Sequence, residues 1–138
     1  MCFLVHYGLN DYFNGVAVEN ANDLYDVETY SGALRGSVQS LKEKYPDALI
    51  ILMTPPFCCA FSNGMDRNSE VGGVLTEYVA AVEKVAKEQD VLCMNNYIGL
   101  GITEENSEVY LADGVHLNET GRFILGQQIV WVLQQQGQ

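Results

Sequence analysis

Two short stretches carry side chains of the right types and spacing for proton transfer and for stabilising negative charge. Asp113 and His116 stand three residues apart in Asp113-Gly114-Val115-His116-Leu117-Asn118, directly before a segment of helical periodicity. In a turn of that length the carboxylate can accept from one imidazole nitrogen, fix the tautomer, and leave the other nitrogen to take up a proton. The alternative is an ordinary Asp-Gly turn with a histidine leading into a helix. There the positive end of the helix dipole disfavours a charged imidazolium and keeps the ring neutral, which also suits a base. The second stretch is Gly8-Leu9-Asn10-Asp11-Tyr12, immediately after an apolar run. An asparagine amide at a strand end can donate to developing negative charge. Equally, Asn10 and Asp11 after a glycine suit an Asx-turn that bonds its own backbone.

These residues need elements to hold them. Three continuous apolar runs, Cys2 to Tyr7, Ala48 to Thr54 and Val91 to Met94, read as strands covered on both faces. Tyr30, Leu34, Val38, Leu41 and Tyr45 recur at spacings of three and four, with Thr29 or Ser31 as N-cap and Pro46 past the end. Val71, Leu75, Tyr78, Val82 and Val85 form a second helical stripe, capped by Ser69. A last helix begins at Asn118 and is expected to turn Phe123, Ile124, Ile129, Val130 and Leu133 inward. Strand and helix alternate, which predicts an α/β domain with a parallel sheet and right-handed crossovers. The segments after the strands, Gly8 to about Glu28, Pro55 to about Asn68 and Asn95 to Val115, are long. They fall at the carboxyl ends of the strands, where open α/β sheets bind ligands.

At 138 residues, 48% hydrophobic and 18% charged, the chain makes one globular domain spanning 1–138. A formal net charge of −11 repels phosphate backbones and anionic headgroups, so neither nucleic acid nor a membrane surface is an expected partner. No apolar run reaches the roughly 20 residues of a spanning helix, and the start lacks the pattern of an export signal. The default localisation is therefore cytoplasmic, with secretion the alternative if a leader stood upstream of the first strand. Cys2, Cys58, Cys59 and Cys93 have neither disulfide-scaffold nor zinc-ribbon spacing. Cys2 and Cys93 read as small core hydrophobes, while Cys58 and Cys59 either line the ligand side or pair with a histidine as nucleophile. With two histidines, His6 reading as a core or edge residue of the first strand, no metal is expected. Gly99-Leu100-Gly101 lacks the third glycine and setting of a dinucleotide fingerprint, so no cofactor is expected either.

One feature of the pattern is irregular. Three strands are few for a parallel sheet, and the first begins at residue 2 with Phe3-Leu4-Val5, which reads as buried. Either another element covers that edge or the domain lacks its first strands and helix. An exposed first strand would pair with a second copy or with a complementing N-terminal segment, and the chain would then be a non-catalytic α/β module or a half-enzyme.

Together the two stretches resemble the SGNH (GDSL-type) hydrolases. The family's third block, a strand followed by G-x-N-D, is matched by Val5-His6-Tyr7-Gly8-Leu9-Asn10-Asp11, and its fifth, D-x-x-H-(L/P)-(N/T) with a following x-x-G, by Asp113 to Gly121. Tyr30-Ser31-Gly32-Ala33-Leu34 and the run from Tyr45 to Pro56 also look like family sequence. The resemblance implies a flavodoxin-like three-layer α/β/α fold truncated at its N-terminus, with three strands visible, and carboxyl-ester hydrolysis of small-molecule substrates. Acyl groups on carbohydrate, acetyl above all, are among those it brings in. It further implies that Asn10 donates to the oxyanion, His116 is general base and acid, and Asp113 orients His116. The family's nucleophile lies in a G-D-S block, and no Gly-Asp-Ser occurs in this chain. The isolated chain is therefore expected to be nearly inactive. Tyr7, Tyr12 and Phe57 are candidates for the aromatic wall of a substrate pocket, or else pack beneath loops.

Overall fold

The computed structural model describes residues 1–59 and 73–136. Strand β1 (Cys2–His6) leads into a short helix α1 (Leu9–Asn14), and helix α2 (Tyr30–Lys44) precedes strand β2 (Leu49–Met53). Helix α3 (Leu75–Glu88) then runs to strand β3 (Leu92–Met94). Short helices α4 (Asn96–Gly99) and α5 (Ser107–Tyr110) precede the long C-terminal helix α6 (Glu119–Gln136). The three strands form one parallel sheet in the order β1-β2-β3, with Leu4 opposite Ile51 and Leu52 opposite Cys93. The expected strands are thus present, each a residue or two shorter than its apolar run.

Helices cover both faces of the sheet, giving three α/β/α layers. On one side Ile50 and Leu52 of β2 pack with Leu34 and Val38 of α2 and with Leu75, Tyr78, Val82 and Val85 of α3. On the other, Ile51, Met53 and Met94 meet Leu125, Ile129, Val132 and Leu133 of α6. Thr29 caps α2, its Oγ1 accepting from the Gly32 amide at 3.2 Å, and Asn118 caps α6, its Oδ1 accepting from the Gly121 amide at 3.0 Å. In the second stripe Leu75, Tyr78, Val82 and Val85 are buried on α3, whose N-cap is Val74; Val71 and the cap expected at Ser69 lie outside the described residues.

Three burial expectations are corrected. Phe123 and Val130 of α6 are 65% and 53% exposed rather than inward. Apolar residues lie around most of that helix, so periodicity could not select the buried stripe; contact with the sheet selects Leu125, Ile129, Val132 and Leu133. Leu4 is 43% exposed, because β1 is an edge strand and α6 reaches only β2 and β3. Cys2 and Cys93 are exposed for the same reason, both being on edge strands.

The segment between β1 and α2 is tied down by polar groups that periodicity does not reveal. The buried Tyr30 hydroxyl donates to the Tyr7 carbonyl at 2.9 Å, and the Tyr78 hydroxyl donates to the Val16 carbonyl. Arg35, 1% exposed, reaches Glu19 at 2.6 Å, Glu88 at 2.8 Å and the Leu24 carbonyl at 3.0 Å. Lys84 joins the network through Glu19 at 2.6 Å. Arg35 therefore clamps residues 19–24 onto α2 and α3. Its signal in the sequence was an arginine within the apolar stripe, between Leu34 and Val38.

Candidate active site

The Asp113–His116 turn is built from backbone and side chain together. Asp113 Oδ1 accepts from the Val115 amide at 3.0 Å and the His116 amide at 2.8 Å, while Oδ2 meets His116 Nδ1 at 2.7 Å. One carboxylate thus folds its own turn and holds the imidazole by Nδ1, leaving Nε2 outside that contact. The backbone and ring donors from His116, with the Val115 amide, hold the Asp113 carboxyl down at about 2, so it is ionised at neutral pH. Both side chains are open to solvent, Asp113 55% and His116 78% exposed.

Several contacts fix where this turn sits. The Ala112 amide donates to the His116 carbonyl at 2.8 Å, closing the turn, and Leu111 bridges to Leu117. Asn118, besides capping α6, donates from Nδ2 to the Val109 carbonyl at 2.9 Å, joining α5 to α6. Gly121 lies against the Tyr110 carbonyl, where a Cβ would come within 2.4 Å, so only glycine lets the first turn of α6 approach α5 this closely. The Cys59 amide donates to the Gly114 carbonyl at 2.8 Å, tying the turn to the segment after β2.

Asn10 stands in the first turn of α1, two residues after Gly8, and so is helical rather than part of an Asx-turn. Its side chain makes no hydrogen bond among the described residues, and its carbonyl accepts from Asn14 Nδ2 at 2.7 Å. Gly8 has φ +133° and packs on Tyr30, where a Cβ would come within 2.5 Å of the hydroxyl. This close approach sets the direction in which α1 leaves the sheet. Leu9, Tyr12 and Phe13 of α1, Cys58 after β2 and Val115 of the histidine turn all pack into one cluster. The segments bearing Asn10 and His116 thus each contribute an apolar side chain to the same core cluster.

The other sequence candidates are placed as follows. Tyr7 is half-buried, edge-on to Tyr30 with ring centroids 5.5 Å apart, and burial pushes its phenol up to about 12. Tyr12 is 1% exposed, packed against Phe13 and Tyr78, and Phe57 is 9% exposed among Leu100, Ile102 and Leu111. The rings of Tyr12 and Phe57 are therefore packed inside instead of forming an open wall, Tyr12 against Tyr78 of α3 and Phe57 against residues that follow β3. Cys58 is buried, and burial raises its thiol to about 11, the wrong direction for a thiolate nucleophile.

His6 lies at the exposed end of β1, its Nε2 3.3 Å from Nδ2 of the fully buried Asn96. Asn96 Oδ1 has no hydrogen-bond partner among the described residues. Beside it the Thr54 hydroxyl accepts from the Tyr97 amide at 3.2 Å. This polar bridge across the strand ends was missed in the sequence, where Asn95-Asn96 looks like any strand-end turn. Among the described residues no group of three or more His, Cys, Asp or Glu side chains is placed to hold a metal.

The Asp113–His116 contact is the one that the turn spacing in the sequence predicts. Residues 2–122 match the sequence profile of the GDSL-like Lipase/Acylhydrolase family. The chain belongs to that family. A GDSL esterase/lipase of Arabidopsis thaliana is 27% identical over an alignment of 117 residues, covering 75% of this chain and 47% of that protein. The chain thus spans about half the length of that relative. Among solved structures, a protein from Lactobacillus plantarum superposes with a TM-score of 0.84 at 20% identity, covering 97% of this chain and 66% of the other. A catalytic mutant of an acetylxylan esterase from Geobacillus stearothermophilus superposes with a TM-score of 0.64 at 20% identity, covering 94% and 57%. These structural likenesses show the shared flavodoxin-like α/β fold.

Proposed function

We propose that this chain contributes the oxyanion asparagine and the acid-base histidine of a serine-type carboxyl-ester hydrolase, with the serine supplied by a polypeptide segment outside it. The 2.7 Å Asp113–His116 contact carries the reading. With Nδ1 held by an ionised carboxylate, Nε2 is the nitrogen free to accept the proton of an attacking hydroxyl and return it to the leaving alcohol. Asp113 stabilises the imidazolium formed between those steps. Asn10, whose amide has no hydrogen-bond partner among the described residues, donates to the tetrahedral oxyanion. Both side chains of the pair are open to solvent.

Acetyl esters of carbohydrate are the substrate class we favour, since the acetylxylan esterase shares the fold over 94% of this chain. No serine in the chain follows a Gly-Asp pair, and Ser31, fully packed in the first turn of α2, is not available to a substrate. The chain alone should therefore leave p-nitrophenyl acetate untouched. Joined to a family segment bearing Gly-Asp-Ser it should turn the ester over, with His116→Ala lowering kcat/KM by about 10³-fold or more and Asn10→Ala by about 10²–10³-fold. Turnover by the chain alone that His116→Ala abolishes, or joined activity indifferent to His116→Ala, would defeat the proposal.

A further inference from the structure

An open cavity of about 630 Å³ lies between α6 and the end of β3, and neither Asp113 nor His116 lines it. One wall is a stripe of α6, Ile124, Gln127, Gln128 and Trp131, whose spacings of three and four put them on one helix face. The other is Cys93 and Met94 of β3 with Gly99 of α4. Gln128 joins the two walls, its side-chain amide donating to the Gly99 carbonyl. A Cβ on Gly99 would stand 3.2 Å from Gln128 Oε1, so the glycine leaves that amide room to lie across the gap.

The lining selects a neutral ligand. In a chain of net charge −11, no Asp, Glu, Lys, Arg or His among the described residues lines this cavity. Burial and the nearby Glu83 carboxylate raise the Cys93 thiol to about 11, so it too is uncharged at neutral pH. The polar groups on offer are amides. Gln127 is exposed and makes no hydrogen bond among the described residues, while Gln128 has Nε2 engaged and Oε1 left to accept. Asn95, which also borders the cavity, is already committed, accepting from the Ile98 amide at 3.0 Å and donating to Glu83 at 2.6 Å. Beside the two glutamines stands Trp131, the chain's single tryptophan, 62% exposed. A pyranose has the matching pattern. Its rim of hydroxyls pairs with amide donors and acceptors, and its polarised C–H groups are attracted to the electron-rich face of an indole. An alkyl chain would leave the amides idle, and an ionic ligand would find no counter-charge.

We propose that this cavity is an accessory carbohydrate site, in which a neutral pyranose unit of an oligosaccharide stacks on Trp131 and hydrogen-bonds Gln127 and Gln128. It deepens the substrate reading above, acetyl esters of carbohydrate, by giving a polymeric substrate a hold outside the reacting centre. A sugar unit held there keeps the rest of its chain at high effective concentration. The inference rests on that reading only for what the held sugar is for; binding itself uses neither Asp113 nor His116.

The test titrates the full chain with two neutral pyranose oligomers, xylotetraose and cellotetraose, reading Trp131 emission and the heat of binding by calorimetry. The expected result is a saturable blue shift of the emission with a matching heat for at least one of them. By calorimetry, binding should weaken at least tenfold in Gln127→Ala and be lost in Trp131→Ala. Both side chains are exposed, so circular dichroism should show both variants folded. His116→Ala should bind the sugar as the unaltered chain does. No saturable binding of either oligomer up to about 10 mM, tenfold above a Kd of about 1 mM, would overturn the proposal. So would binding that survives Trp131→Ala, or a blue shift that appears without sugar on concentrating the chain, the mark of self-association through this face. Sugar binding by a chain that hydrolyses no ester when joined to a Gly-Asp-Ser segment would refute the catalytic reading and leave this site standing. Ester turnover without sugar binding would do the reverse.

Discussion

Gly8→Ala tests the junction on which the placement of Asn10 depends. At φ +133° and ψ −23° the backbone of Gly8 lies where side-chain-bearing residues are strained, at a cost of about 1–3 kcal/mol. The new methyl would stand 2.5 Å from Tyr30 Oη and 2.9 Å from Cζ. Tyr30 cannot swing aside, because it is fully buried with Tyr7 and Tyr78 rings 5.5 and 5.2 Å away. Overpacking of this kind costs about 1–3 kcal/mol, and losing the Tyr30–Tyr7 hydrogen bond about 1 kcal/mol. The sum, about 3–5 kcal/mol after partial relaxation, is a large share of the 5–15 kcal/mol by which domains are ordinarily stable. With a urea dependence of about 2 kcal/mol per molar, the unfolding midpoint followed by circular dichroism should drop by about 1.5–2.5 M. Tyr30→Phe alone should cost about 1 kcal/mol. The double variant should be less damaged than the sum by about 1–2 kcal/mol, because the closest contact is gone while the positive φ and the Cζ contact remain. A midpoint drop below about 0.5 M for Gly8→Ala, or strict additivity in the cycle, would refute the account of this junction.

Arg35→Ala should destabilise the chain by about 2–4 kcal/mol in the same assay, and amide exchange of residues 19–24 should quicken more than that of α2. The loss stays below that of a fully buried pair, because Glu19 and Glu88 remain partly exposed and keep Lys84 at 2.6 and 3.9 Å. The Asp113 carboxyl should titrate at about 2 when followed by carbon NMR. Because its folded value is depressed, the stabilisation from the turn is fully present above the ordinary Asp range near pH 4 and is lost as the pH falls toward 2. Asp113→Asn should remove that titration and loosen the His116 ring.

The elements that carry the site were legible because each leaves a local signature. Continuous apolar runs marked the strands, three-and-four spacing marked α2 and the body of α3, and Thr29 and Asn118 announced their helix starts. The Asp113–His116 contact was legible too, since three intervening bonds of turn bring a carboxylate to an imidazole whatever surrounds them. Residues whose roles depend on distant partners were not. Arg35 looks like a blemish in an apolar stripe until Glu19, Leu24 and Glu88 fold around it, and Asn96 becomes buried only when β1 and β3 place His6 beside it.

By itself the sequence determined the order and type of the main elements, the parallel sheet, the family, and the chemical identity of Asn10, Asp113 and His116, because period, capping and turn chemistry act over a few residues. Only the tertiary structure decided that α6 packs Leu125 and Ile129 on the sheet and leaves Phe123 and Val130 open, that Tyr12 and Phe57 are buried, and that alternate residues of β1 stand exposed. Burial is a property of pairs of surfaces. A helix apolar around most of its circumference, or a strand apolar on both faces, does not say which side its neighbour will occupy until the sheet order and the reach of each helix are known.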